Sequence, residues 1–156
     1  MSGFDNSLPM ILNRALDQIM PAYRNLFAQF DLTEQQWRVL RVLWTSKKVT
    51  SVELSNRTLL PAPSLVGIID RLEKKSLVSR IRSLEDRRVV YVTATQKGRA
   101  LEKEVAPRAE AIDQRLRVSV SPQDWARMQE TLEKISAQPD DVETPSAHTP
   151  KQNKAV

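Results

Sequence analysis

Residues 61–94 read PAPSLVGIIDRLEKKSLVSRIRSLEDRRVVYVTA, and this stretch decides the fold. Its first half repeats with a helical period: Leu65, Ile68, Ile69 and Leu72 fall at i, i+3, i+4 and i+7, which makes one apolar face. Ser64, Gly67, Arg71, Lys74 and Lys75 fall on the other face. The second half changes to period two. Val78, Arg80 and Arg82 alternate with Ser79, Ile81 and Ser83; Val90, Val92 and Ala94 alternate with Val89, Tyr91 and Thr93. Leu84-Glu85-Asp86-Arg87 between the two runs is a short polar turn. A helix followed by a two-stranded ribbon with a basic tip is a compact reader of duplex DNA. The helix fits a major groove, and an arginine at the tip can reach a minor groove.

Charge supports that reading. The chain carries 24 Lys and Arg against 19 Asp and Glu, a net charge of +5. Thirteen of the bases but only six of the acids lie between Lys47 and Lys103, so the rest of the chain is close to neutral. A basic middle between balanced ends points to a polyanionic partner. The 156 residues suffice for one domain with a real core. No run reaches the roughly 18 apolar residues of a membrane span, and no basic-then-apolar leader opens the chain, so a cytoplasmic protein without a membrane partner is expected.

Composition weighs against catalysis. With no cysteine there is no disulfide, thiolate metal site or thiol redox chemistry, and the single histidine, His148, sits in a polar tail. The three glycines, Gly3, Gly67 and Gly98, are too far apart for a phosphate loop. Neither an enzyme nor a cofactor or metal site is expected.

Outward from the central stretch, Leu12, Leu16, Ile19, Tyr23, Leu26 and Phe30 mark a long amphipathic helix over residues 8–30, with a kink expected at Pro21. Thr33 and Gln36 form a capping box that opens a second helix, its core face being Trp37, Leu40, Leu43 and Trp44. Thr50 with Glu53 opens a short third helix, roughly 51–57, with Val52 and Leu54 expected inward. Only a few residues separate it from the helix that begins near residue 62, as in a helix-turn-helix. Thr95 caps a fifth helix with a stripe of Leu101, Val105, Ile112 and Leu116, and Pro107 predicts a bend or break in it. Ser121-Pro122, with Asp124 following, starts a sixth helix lined by Trp125, Met128, Leu132 and Ile135. Residues 1–7 and 138–156 are expected to be disordered. The long flanking helices, 8–30 and 96–136, cannot all bury their stripes on the small module 33–95. A bundle shared between two subunits is therefore expected, and a homodimer would present two reading helices to paired half-sites.

These residues resemble the MarR family of bacterial transcription regulators over about residues 8–136. Asp86-Arg87-Arg88, the alternating Val-Val-Tyr-Val and Thr95-Gln96-Lys97-Gly98 resemble the family pattern D-x-R, strand, T-x-x-G. Asp70-Arg71-Leu72-Glu73-Lys74-Lys75-Ser76-Leu77-Val78 resembles D-R-L-E-x-x-G-L-V, with Ser76 in place of the usual glycine. Leu32 to Arg41 and Pro63-Ser64-Leu65 are similar to the branch that controls aromatic-acid catabolism. The resemblance implies a mainly α fold with a small β-wing, a winged helix-turn-helix flanked by N- and C-terminal dimerisation helices. It further implies a repressor that leaves a pseudo-palindromic double-stranded operator when a small aromatic acid or an aromatic acyl-CoA effector binds.

On this basis Ser64 meets base edges or phosphate, Gly67 permits close approach, and Arg71 meets a phosphate or base. Ala62 and Pro63 stand at thymine methyl groups. Arg88 matches the family arginine that enters the minor groove, and Asp86 the acid that holds it; Arg87 is the alternative arginine. Arg80 and Arg82 are expected at phosphates, and Lys47, Lys48, Thr50 and Ser51 are weaker phosphate candidates. The bland alternative for each is a solvated face or an ordinary charged hairpin. A family-type effector pocket would draw on Arg14, Tyr23, Trp37, Arg41 and Trp44. An inward arginine would pair with a ligand carboxylate or phosphate. Core packing is the favoured reading of each aromatic, and an exposed position is as good a reading of Arg14. A winged-helix module that binds protein instead of DNA is the rival to the whole reading.

Overall fold

The computed structural model describes residues 6–137. The described chain is mainly helical, with one small antiparallel sheet. In order it runs α1 (Leu8–Ala28), α2 (Glu34–Trp44), β1 (Val49–Thr50), α3 (Ser51–Thr58), α4 (Ala62–Lys74), β2 (Val78–Arg82), β3 (Val90–Ala94), α5 (Gln96–Val118) and α6 (Pro122–Ser136). It divides between Arg115 and Leu116 into two compact units. The expectations for residues 1–5 and 138–156 lie outside the described residues, whereas Ser7 stands at the N-cap of α1.

In the first unit the apolar face of α4 is its anchor. Leu65, Ile68, Ile69 and Leu72 are each no more than 1% exposed, which fixes which side of the helix turns outward. Burying four such side chains contributes roughly 1.5–3 kcal/mol each before chain entropy is set against it. They pack with Leu40 and Leu43 of α2, Leu54 of α3, Val78 and Val92 of the sheet, and Val105 of α5. Caps set the helix starts. Thr33 Oγ1 accepts from Gln36 N–H while Gln36 Oε1 accepts from Thr33 N–H, a complete capping box. Thr50 Oγ1 accepts from Glu53 N–H, but the Glu53 carboxylate lies 3.7 Å from Arg57, so this box is half made.

Helix α4 ends in a Schellman turn. Ser76 N–H donates to Glu73 O and Leu77 N–H to Leu72 O, with Ser76 at φ 58°. That left-handed position favours glycine, and here a serine holds it. Gly98, by contrast, is required by close approach: a Cβ on it would lie 2.1 Å from Leu77 O. Thr95 N–H donates to that same carbonyl and Thr95 Oγ1 accepts from Gly98 N–H, so the start of α5 is pressed onto the start of β2.

Three details differ from the sequence reading. The ribbon is a three-stranded sheet of order β1-β3-β2, because Val49 and Thr50 pair with Val92 and Tyr91. A two-residue strand leaves no periodicity to read. Val52 is 72% exposed, because residues two apart on a helix point nearly opposite ways and Leu54 takes the inner side. Helices α1 and α5 continue through Pro21 and Pro107, so the break considered at Pro107 is absent.

The ends are less buried. On α1 only Leu26 and Phe27 are buried, while Leu12 and Leu16 of the expected stripe stay exposed, as do Leu8 and Ile11. In the second unit, Ser121 Oγ accepts from Asp124 N–H and so caps α6, and Arg117 lies over the Trp125 ring at 5.2 Å. No residue of α6 is buried.

Candidate nucleic-acid interface

The outward side of α4 follows from its buried side. Ala62, Pro63 and Ser64 are exposed on the first turn, and Pro61 sits at the N-cap. Val66, which sequence reasoning did not single out, is 54% exposed beside them. Its place inside an apolar run concealed it, since its face is settled only once Leu65, Ile68 and Ile69 are known to be inside.

Gly67 is half-buried by its own neighbour. A Cβ built on it would meet the Arg71 guanidinium at 3.6 Å, an ordinary contact. Helical side chains lean toward the N-terminus, so Arg71 reaches back over Gly67 and carries its charge toward the exposed first turns. Nothing among the described residues forces glycine here. Beyond Arg71, Lys74 and Lys75 line a cleft of about 650 Å³ shared with Asp31, Thr33 and Gln36. Lys75 is held there by Asp31 Oδ2 at 2.8 Å.

In the ribbon, Val78 to Arg82 pair in register with Ala94 to Val90. Ser83 N–H donates to Val89 O, and Ser83 Oγ accepts from the N–H groups of Glu85 and Asp86, which shapes the tip. Asp86 Oδ1 accepts from Arg88 N–H at 2.9 Å and lies 3.6 Å from Arg88 Nε. Arg82, Arg87 and Arg88 are exposed, the Arg88 side chain 94% so. A cleft of about 340 Å³ joins Arg88, Val89 and Val90 to Thr50, Ser51 and Val52 at the start of α3.

Arg80 departs from expectation. Its Nη2 lies 2.5 Å from Asp70 Oδ1 and its Nη1 2.5 Å from Glu73 Oε2, both on α4. Burial alone would lower its pKa, but the bonds to Asp70 and Glu73 outweigh that and the net shift is upward. Where a side chain free for phosphate is expected, the fork of Arg80 is occupied by two carboxylates of α4. Sequence gave no direct sign of this, because it does not show which side of α4 lies against β2.

The five candidate effector residues are only partly brought together. Trp37 and Trp44 are core residues, 7% and 8% exposed, joined edge to face at 5.2 Å. Trp37 stacks on Phe27, and Trp44 Nε1–H donates to Gly98 O at 2.9 Å, so both rings serve packing here. Tyr23 is half-buried and its hydroxyl donates to Asp113 Oδ1 at 2.5 Å, tying α1 to α5. Burial, then the bond to Asp113 and its charge, push the Tyr23 phenol well up, while Arg41 opposes them. Arg41 itself is exposed and lines a cleft of about 520 Å³ with Arg38, Arg57, Val42, Thr45, Thr58 and Leu59. Arg14 is exposed on α1, nine residues or about 13 Å along the helix before Tyr23. Among the described residues there is no cluster of His, Asp or Glu suited to a metal ion, and no helix is long and apolar enough to cross a membrane.

A short helix pair, a third helix on an apolar anchor and a basic ribbon define the winged helix-turn-helix class. Within that class the chain belongs to the MarR family. The family's sequence model matches residues 32–90. The homoprotocatechuate degradative operon repressor of Escherichia coli is 36% identical over 96 residues, 62% of this chain and 65% of that protein, so the chain spans just under two thirds of its length. The HTH-type transcriptional regulator FarR of Neisseria gonorrhoeae is 35% identical over 109 residues, 70% of this chain and 73% of that protein. Among solved structures, NadR in complex with 4-hydroxyphenylacetate superposes with a TM-score of 0.76 at 26% identity, covering 85% of this chain and 94% of that one. The transcriptional repressor CouR bound to a 23-mer DNA duplex superposes with a TM-score of 0.78 at 25% identity, covering 87% and 97%.

Proposed function

We propose that the protein is a DNA-binding transcriptional repressor that works as a homodimer and is released from a pseudo-palindromic operator by a small aromatic acid or its coenzyme A thioester. The observation that carries this reading is the outward side of α4, where Arg71 folds back over a sterically unneeded Gly67, next to a wing whose Arg82, Arg87 and Arg88 are exposed. Such a surface suits a groove. Ser64 and Arg71 supply donors for base edges or phosphates; Ala62, Pro63 and Val66 supply apolar contact for thymine methyl groups. Arg88, steadied through Asp86, or its neighbour Arg87 reaches the flanking minor groove. The structural likeness to a repressor bound to a DNA duplex agrees with this.

Two copies are needed for a palindrome, and the uncovered apolar residues of α1, with an α6 that buries nothing, support a shared bundle. For the effector, Tyr23, Asp113 and Arg41 form a polar group at the edge of the aromatic core. A phenol would compete for Asp113 and a carboxylate or phosphate would pair with Arg41. The likeness to the E. coli operon repressor and to a structure holding 4-hydroxyphenylacetate favours an aromatic acid. Release follows only if the effector binds the DNA-incompetent arrangement more tightly than the DNA-bound one.

A salt titration tests the DNA reading. Genomic fragments selected by the purified protein should bind with affinity that falls steeply with salt, the log–log slope being about −0.9 per phosphate contacted. A flat response would favour a protein-binding module. A thermal-shift screen of phenolic acids and their coenzyme A thioesters tests the effector. A stabilising compound should lose its effect in Arg41→Ala, and retention would remove Arg41 from the site.

A further inference from the structure

Asp70 and Glu73 are anomalous on a helix that reads DNA. Asp70 lies three residues after Gly67 and seven after Pro63, on the same outward stripe, with Glu73 one turn further. Both are exposed or partly so, with side chains 50% and 40% accessible, so core packing does not account for them. Two free carboxylates there would oppose a phosphate backbone. The structure gives both to one side chain. The Arg80 fork spans them at 2.5 Å each, and Arg80 N–H donates to Glu73 Oε1 at 3.3 Å. Only a planar guanidinium, with parallel donors, bridges two acids in this way; a lysine is a point charge.

We propose that Arg80 is a positioning residue that shields the reading helix: it neutralises Asp70 and Glu73 on the side that α4 turns to DNA, without itself contacting phosphate. This rests on the reading of α4 as the DNA-facing helix. It makes Asp70 and Glu73 a built-in cost to DNA affinity that only an intact clamp offsets, so the wing and the reading helix become competent together.

The full-length chain and a fluorescent operator duplex test this by anisotropy, with circular dichroism melts confirming that each variant is folded. Arg80→Gln should weaken binding about tenfold or more at low salt. Asp70→Asn with Glu73→Gln should bind at least as tightly as the parent. Adding Arg80→Gln to that pair should leave affinity within a few-fold of it, because no carboxylate remains to be shielded. If the triple variant is as weak as Arg80→Gln alone, Arg80 acts through phosphate or through the mechanical tie, and the shielding role is wrong. Should Arg80→Gln not fold, the double and triple variants still decide the matter: equal affinity supports shielding, and a tenfold gap overturns it. A parent protein with no salt-sensitive binding would overturn the underlying reading as well, which separates the two failures.

Discussion

Helices α4 and α6 are of similar length, and both carry an apolar stripe legible in sequence, yet they end differently. The four stripe residues of α4 are each at most 1% exposed, whereas α6 buries none of its own, leaving Met128 43% and Ile135 40% exposed. Helix α1 repeats the contrast within itself: Leu26 and Phe27 are inside while Leu12 and Leu16 are outside. A stripe therefore tells which side of a helix seeks cover and leaves open whether the cover lies in the same chain. The central module supplies its own; on the proposed homodimer, a second copy would supply it for the flanks.

Substitutions on the two helices should separate these cases. The largest effect belongs to α4, where Ile68→Ala should cost about 2–5 kcal/mol in a chemical-denaturation melt and abolish DNA binding with the fold. A loss under 1 kcal/mol would mean the inner face is not the anchor. On the flanks, Leu16→Asp should leave the helical signal nearly unchanged but shift the sedimenting species from dimer to monomer. Operator affinity would then fall as the two half-sites are no longer held together. An unchanged dimer would place the interface elsewhere.

Smaller changes sharpen the outward side of α4. Gly67→Ala meets no clash and gains helix propensity, so thermal stability should rise by about 0.5–1 kcal/mol while operator affinity falls. Unchanged affinity would mean the glycine is not at the groove. The smallest effect belongs to Ser76→Gly, which relaxes a left-handed residue and should add up to about 1 kcal/mol with operator affinity untouched. A drop in stability would show that unfolded-state entropy outweighs the strain.

How far the sequence carried depends on whether a feature is local. The period of Leu65 to Leu72, the boxes at Thr33 and Ser121, and the alternation around Val92 are local, and each element formed where they predict. The approach of Gly98 to Leu77 O was visible only as a family motif, since a steric need between two elements has no periodicity. For the candidate site, the exposure of Ser64, Arg71, Arg82, Arg87 and Arg88 could be anticipated, because polar and basic residues away from an apolar face are a pattern. The partners of Arg80 could not, because they depend on how β2 lies against α4. The surroundings of the aromatic candidates were equally out of reach: core packing is the favoured reading of Trp37 and Trp44, but their contacts with Phe27 and Gly98 join elements far apart in sequence.

The most direct test of the central claim, two copies of one reader held at a fixed spacing, is a hydroxyl-radical footprint of the full-length protein on a selected operator. Two protected segments on one face of the duplex, centred about 10 base pairs apart, with protection of the flanking minor grooves that is lost in Arg88→Ala, are predicted. A single protected segment, or an unaltered pattern in Arg88→Ala with the dimer intact, would contradict it.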